Sequence, residues 1–358
     1  MNLGGKAEKK RRFARLVVML ARAMSQLTAR LPRTAPGGAS RKGMRKKDMQ
    51  RLWALVDRLS RAQRQEVIDR LKAQATAVES IELVESARHQ SRSCPHCSEH
   101  RIVRNGVADG LQRYKCRACG KTFNALTGTP LARLRHKGKW LDQAQVLADG
   151  LTVRRAAEHL NVAPSTAFRW RHRFLAVPRS VKPNALAGVA EIDETYVLES
   201  FKGQKVVGRK ARKRGGSAAK RGLSREQIPV LVARDRSGTT TDYVLSDSRK
   251  AAVMAVLKPL LPPDAVVCTD GGGSIGQAVK DLGLEHHRVV TSSGTHAIGA
   301  WHIQNVNSYH GRLKGWMRRF NGVATAYLEN YLGWFRALDR TPRSPRQPAQ
   351  LLNLAIGA

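Results

Sequence analysis

The sequence predicts an α/β domain, a mixed sheet flanked by helices, preceded by a helical segment, a cysteine-rich module and a helix-turn-helix. Three observations carry that expectation. From residue 188 onward, short runs of alternating apolar residues give way to a helix–strand–helix succession. Four of the five cysteines crowd between positions 94 and 119. Residues 139–175 carry helical patterns joined by a short turn.

Taken in order, residues 1–45 are basic and end in LPRTAPGGASRKG, which predicts a flexible extension. Over 46–90, Leu52, Leu55, Val56, Leu59, Val67, Ile68 and Leu71 recur at helical spacing and predict a helix pair. Over 91–130, Cys94-Pro-His-Cys97 and Cys116-Arg-Ala-Cys119 form two C-x-x-C pairs separated by 18 residues. Each two-residue gap lets a tight turn present two thiolates, and two such turns suit one tetrahedral Zn²⁺ in a zinc ribbon. So small a module has little core of its own, and the metal supplies its folding energy. His96, inside the first turn, is expected to face solvent or phosphate.

Over 131–180, Gly150 ends one helix, TVRRAAEHL makes a second and NVAP supplies a turn. Ser165 is expected to cap the next helix, which would project Ser165, Thr166, Arg169 and Arg173 toward a DNA groove. Over 185–345, GVAEIDETYVL, EQIPVLVARDRSG and TTTDYVLSD read as strands, SRKAAVMAVLKPLL as a helix and DAVVCTD as a strand. Helices follow from about 273 and about 302.

The charge balance names the partner class. Lys and Arg number 64 against 27 Asp and Glu, a net charge of +37, which favours a polyanion such as double-stranded DNA. A run at 201–222 holds nine Lys and Arg and no acid. It reads as a solvated segment, and Lys210, Arg212, Lys213 and Arg214 could also clamp a phosphate backbone. No run of about 18 apolar residues occurs, so no membrane span is expected. The cysteine clustering favours metal binding in a reducing compartment over a disulfide framework.

Two aspartates stand out. Asp193 lies in the strand EIDETYV, and Asp270 ends the strand before the turn CTDGGG. Carboxylates at the ends of neighbouring strands make a hard-oxygen site suited to Mg²⁺, and two ions so held serve phosphoryl transfer. Taken alone, each aspartate is also what a turn would carry. Strand alternation turns Glu194 to the face opposite Asp193, and Cys268 reads as a small buried hydrophobe.

Together the ordered ribbon, EIDETYV, CTDGGG and the helix beginning near His302 resemble a bacterial insertion-sequence transposase of the DDE type, the ISXO2-like group. The resemblance covers Cys94 to about Leu338. It implies an RNase H-like catalytic domain, Mg²⁺ (or Mn²⁺) at the catalytic site beside the structural Zn²⁺, and DNA cleavage followed by strand transfer. Asp193 and Asp270 match its first two ligands. The third, often glutamate, falls here on Asn307, with Lys314 seven residues on and on the same helix face. An amide oxygen can ligate Mg²⁺ without bringing charge. His302, Asn305 and His310 lie nearby, and Glu285 and Glu329 are further acids that could stand in for the missing ligand.

The expected protein binds terminal inverted repeats and target DNA as a homo-oligomer, in a bacterial cytoplasm and on the nucleoid. It hydrolyses phosphodiesters and joins the freed 3′-OH ends to target. A transposase-derived regulator that binds DNA without cleaving it is the alternative that Asn307 keeps open. A structural packaging protein explains the charge and leaves the ordered acids unexplained.

Overall fold

The structure, a computed structural model, describes residues 45–89, 93–204, 216, 218–220, 224–290, 294, 296–340 and 348–357. The basic extension, but for its last residue, and Lys210, Arg212, Lys213 and Arg214 lie outside these. The described residues form two compact units. One runs to Ala125 and adds Leu134–Leu141; the other holds Leu126–Arg133 and the residues from Asp142 on.

The first unit opens with α1 (Lys46–Asp57) and α2 (Arg61–His89). Leu52 and Val67 bury against each other, with Met49, Val56, Leu59 and Leu71 around them. Between the helices, Gln63 donates its backbone N–H to Ser60 Oγ at 3.3 Å, and its Oε1 accepts from Ser60 N–H at 3.0 Å. This reciprocal pair satisfies two donors that the start of α2 would leave open. The strands β1 (Ile102–Ala108), β2 (Leu111–Cys116) and β3 (Thr122–Phe123) form an antiparallel meander. It is fastened to α2 by Gln112 N–H donating to Glu85 Oε1 at 2.9 Å.

Three helices come next: α3 (Trp140–Ala148), α4 (Val153–Leu160) and α5 (Pro164–Phe174). Gly150, left-handed at φ +64°, closes α3, and Asn161 at φ 48° closes α4. Ala156, Ala157 and Leu160 of α4 and Ala167, Trp170 and Phe174 of α5 are buried. The cap of α5 differs from expectation. Ala163 holds the N-cap position with no side-chain bond, Pro164 begins the helix and Ser165 is already inside it. Proline at the first helical position has φ preset and no N–H to satisfy, so the helix starts ahead of the serine.

The main sheet comprises β4 (Val189–Leu198), β5 (Gln227–Asp235), β6 (Thr240–Val244), then α6 (Lys250–Leu260), β7 (Val266–Thr269), α7 (Gly273–Asp281) and β8 (Glu285–Arg288). Its order is β6-β5-β4-β7-β8, with β5 antiparallel to β4 and β6, and β7 and β8 parallel to β4. A short hairpin, β9 (Ala297–Ile298) and β10 (Trp301–His302), leads into α8 (Gln304–Arg318), α9 (Leu328–Asp339) and α10 (Pro348–Ile356).

Alternation along β4 divides the sheet into two layers. Ala190 and Ile192, with Leu231 and Ala233 of β5, pack on Val253 and Leu257 of α6 and Ala278 and Val279 of α7. Truncating a large residue of this layer to alanine costs about 2–4 kcal/mol. The intervening residues Glu191, Asp193 and Thr195 turn to the other face, where α8 and α9 lie. Glu194 points away from Asp193, as alternation requires.

Candidate functional site

The four cysteines fit a zinc ion. Their sulfurs all lie within 4.8 Å of one another, with Cys94 to Cys119 at 3.7 Å and Cys97 to Cys116 at 3.6 Å. Four Zn–S bonds of about 2.3 Å in a tetrahedron put sulfurs about 3.8 Å apart. The two turns repeat one backbone pattern. Cys94 N–H donates to Glu99 and Ser98 N–H to Cys94; Cys116 N–H donates to Lys121 and Gly120 N–H to Cys116. Ser98 and Gly120 both take the left-handed conformation, at φ 60° and 70°. Backbone N–H groups of Cys119 and Ala118 lower the Cys116 thiol to about 7, whereas at Cys97 a lowering backbone hydrogen bond from Glu99 is outweighed by burial and the neighbouring sulfurs, which push that thiol up to about 12. His96 is exposed.

On α5, Ser165 and Arg169 are exposed and Thr166 is half-buried. Arg173 does not serve as expected. Its guanidinium donates to the carbonyls of Pro130 and, at 2.7 Å, Ala132. It sits in the last turn of the helix, where open carbonyls of the preceding segment capture its donors. The exposed aromatic Phe168 shares that helix and meets His172 edge-on at 4.5 Å.

Asp193 lies within β4, five residues before its end, and Asp270 directly follows β7; only Asp270 is at a strand end. The two strands are paired in parallel register up to Glu191 and Cys268, and Asp193 and Asp270 each lie two residues beyond that last pair. Asp193 turns to the α8 face, where it meets His310. Asp193 Oδ1 accepts from Glu194 N–H at 2.8 Å and Oδ2 lies 3.5 Å from His310 Nδ1. Asp270 Oδ1 accepts from Gly272 N–H at 2.8 Å. Gly271 makes the turn with φ +89°, and a Cβ there would meet Arg288 Nε at 1.8 Å. Lone pairs remain on both carboxylates, the hard oxygen donors that Mg²⁺ prefers.

Glu194, on the opposite face, is pushed upward in pKa by burial, against hydrogen bonds from Tyr196 and Ser248 that lower it. The negative charges of both Asp193 and Asp270 add to the rise, so the two aspartates act on one common neighbour.

The helix α8 is anchored to β4 twice. Glu191 accepts from the backbone N–H groups of Asn305 and Val306 at 2.7 and 3.0 Å, and His310 meets Asp193. Two strand residues advance about 6.6 Å, and the five helical residues from 305 to 310 advance about 7.5 Å. Strand and helix therefore run side by side in one direction, and Asn307 falls between the two anchors. Asn307 and Lys314 are both exposed, on a common stripe of α8. His302 belongs to β10 rather than to the helix. Glu285 is exposed on β8 and pairs with His287 at 2.7 Å, and Glu329 is exposed on α9. Cys268 is fully buried.

Glu191 escaped the sequence reading, because its partners lie more than a hundred residues away. Its one available signal was an acid at an otherwise buried strand position, between Ala190 and Ile192.

Residues 185–336 match the ISXO2-like transposase domain, and residues 132–177 match a homeodomain-like domain of the helix-turn-helix type. A protein of Halobacterium salinarum described as "Uncharacterized protein in transposable element ISH50" is 30% identical over 266 residues, covering 72% of this chain and 88% of that protein. No described helix is long and apolar enough to cross a membrane. The chain belongs to the ISXO2-like transposase family.

Proposed function

We propose that this protein is the transposase of an insertion sequence, binding the element's terminal inverted repeats and cutting and joining DNA at Asp193, Asp270 and Asn307. The reading is supported by the parallel β4–β7 ladder, which ends two residues before both Asp193 and Asp270, and by the contact of Asp193 with His310 on the helix that bears Asn307. The sheet order, three antiparallel strands followed by two parallel ones with helices on both faces, supports an RNase H-like catalytic domain.

In this reading Asp193 and Asp270 hold divalent cations, Mg²⁺ or Mn²⁺, with the Asn307 amide oxygen as third ligand. When bound, such ions lower the pKa of an attacking water and neutralise charge on the leaving oxygen. Glu194 N–H and His310 fix the Asp193 carboxylate, while Gly272 N–H fixes that of Asp270. Lys314, two turns along α8, meets a phosphate oxygen of the DNA. Water attacks phosphorus, the P–O3′ bond breaks and a 3′-OH is released. That hydroxyl then attacks a target phosphodiester, so one P–O bond forms for each one broken. Thr166 and Arg169 of α5 and the zinc-held ribbon read the repeats, with Ser165 reaching backbone phosphate. The basic residues Lys210, Arg212, Lys213 and Arg214 add non-specific grip. Two element ends are brought together by a homo-oligomer working in the cytoplasm on nucleoid DNA.

Duplexes taken from the DNA flanking this reading frame test the proposal. The zinc-loaded protein should nick them with Mg²⁺ or Mn²⁺, and Asp193→Ala and Asp270→Ala should each abolish nicking while binding persists. The uncharged Asn307 favours one competing reading, a regulator without cleavage. Specific binding with no metal-dependent nicking by the unaltered protein would decide for it.

A further inference from the structure

Glu191 is fully buried, with three N–H donors and two basic side chains around it. Asn305 N–H and Val306 N–H approach Oε2 at 2.7 and 3.0 Å, and Asn305 Nδ2 reaches Oε1 at 2.8 Å. Arg236 Nε stands 3.3 Å from Oε1, and His302 Nδ1 stands 3.2 Å from it. The helix it caps brings no cap of its own: Ile303 occupies the N-cap position of α8 without a side-chain bond. The cap is thus delivered from the strand that carries Asp193, two residues earlier on the same face.

Burying a carboxylate is costly unless every lone pair is met. An apolar contact would hold the helix at less cost, but it would let α8 slide or rotate. Hydrogen bonds to two successive N–H groups fix both the height and the rotation of the first turn. Position 307, in that same turn, is where this precision counts. A carboxylate third ligand would be drawn to the cations by its own charge. An amide oxygen has no such pull, and the scaffold must place it.

We propose that Glu191 is a positioning residue of the site, whose buried carboxylate sets the first turn of α8 so that Asn307 reaches the cations held by Asp193 and Asp270. The inference rests on the reading of those three residues as the metal site.

The test uses the full-length, zinc-loaded protein, with Mn²⁺ binding followed by electron paramagnetic resonance and α8 followed by amide hydrogen exchange. In Glu191→Gln, the Asn305 and Val306 amides should exchange faster and Mn²⁺ affinity should fall about tenfold or more, the usual effect of losing a group that orients a ligand. Adding Asn307→Glu should return affinity toward that of the unaltered protein, because a charged ligand needs less placement. Should Glu191→Gln fail to fold, Asn305→Ala, which removes only the side-chain bond, should give a smaller shift in the same direction. Unchanged Mn²⁺ affinity despite faster exchange would overturn the proposal, as would a loss that Asn307→Glu leaves in place. If Asp270→Ala bound Mn²⁺ as the unaltered protein does, the metal site itself would be misassigned, and positioning would fall with it. The exchange data would then still report whether the clasp exists.

Discussion

Arg171 of α5 and Tyr331 of α9 are joined by a hydrogen bond, Nη1 to Oη at 3.1 Å, in the buried interior of the second unit. Arg171 is 1% exposed. Its other terminal nitrogen donates to the Leu151 carbonyl at 2.6 Å, and its guanidinium lies 5.1 Å from the Trp334 ring and 5.8 Å from that of Phe320. The helix predicted to read DNA and a helix that covers the main sheet therefore share one buried cation.

Arg171→Ala should cost about 3 kcal/mol, since it leaves a cavity together with unmet acceptors. Arg171→Met should cost roughly half of that, because it keeps the volume and the aromatic contacts while removing the buried charge. Urea unfolding of the full chain measures both. Equal losses would mean that the hydrogen bonds carry the whole effect and the packing contributes nothing.

His310 is 6% exposed, and its Nδ1 faces Asp193 Oδ2. Replacing it with alanine frees one oxygen of a proposed metal ligand to rotate. Nicking by His310→Ala should slow about tenfold or more with DNA affinity unchanged. His310→Asn, whose amide can still donate, should recover part of the rate. A gel-shift titration beside the nicking assay separates the two effects.

The cysteine cluster and the course of β4 were legible because their signals were local. The pair spacing of Cys94, Cys97, Cys116 and Cys119 states its own geometry, and the alternation through Ala190 and Ile192 marked β4 and the facing of Asp193 and Glu194. The losses came where meaning was non-local. The strand β8, EHHR, has no apolar alternation; it is an edge strand held by pairing with β7 and by His286 bonding Thr269 Oγ1 at 2.9 Å. Arg173 looked like a groove residue until its carbonyl partners 41 and 43 positions away were in view. Glu191 next to a more conspicuous aspartate had no sequence neighbour to reveal its role.

Removal of zinc should act on one unit. The ribbon β1–β3 has few buried residues apart from Leu111, Cys94 and Cys116, so chelation should open it to proteolysis while the second unit stays protected. Gly120→Ala forces a side chain into a left-handed position and should cost about 1 kcal/mol, lowering zinc affinity about fivefold through the coupling of metal binding to folding. Competition with a chromophoric chelator measures it. Proteolysis that reached both units equally on chelation would contradict the division of labour.

His172 supplies a pH signature. Burial, and after it the charge of Arg171, depress its pKa to about 4 from an ordinary 6.5. Asn330 Nδ2 lies 2.8 Å from His172 Nδ1, and Tyr327 stacks on the ring at 4.0 Å, so a proton on Nδ1 would face the amide hydrogens. The unfolded chain binds this proton near pH 6.5 and the folded chain only near pH 4, so between those values the unfolded state holds more protons. The contribution to stability is therefore complete above about pH 6.5 and is lost progressively as pH falls toward 4. Carboxylates titrate in the lower part of that window, which makes the difference between the unaltered protein and His172→Gln the quantity to follow. The difference should shrink as pH drops from about 7 to about 4, and the His172 ring proton resonance should remain that of the neutral imidazole at about pH 5.5. A resonance already half-shifted at about pH 6.5 would contradict the depressed pKa of this half-buried ring.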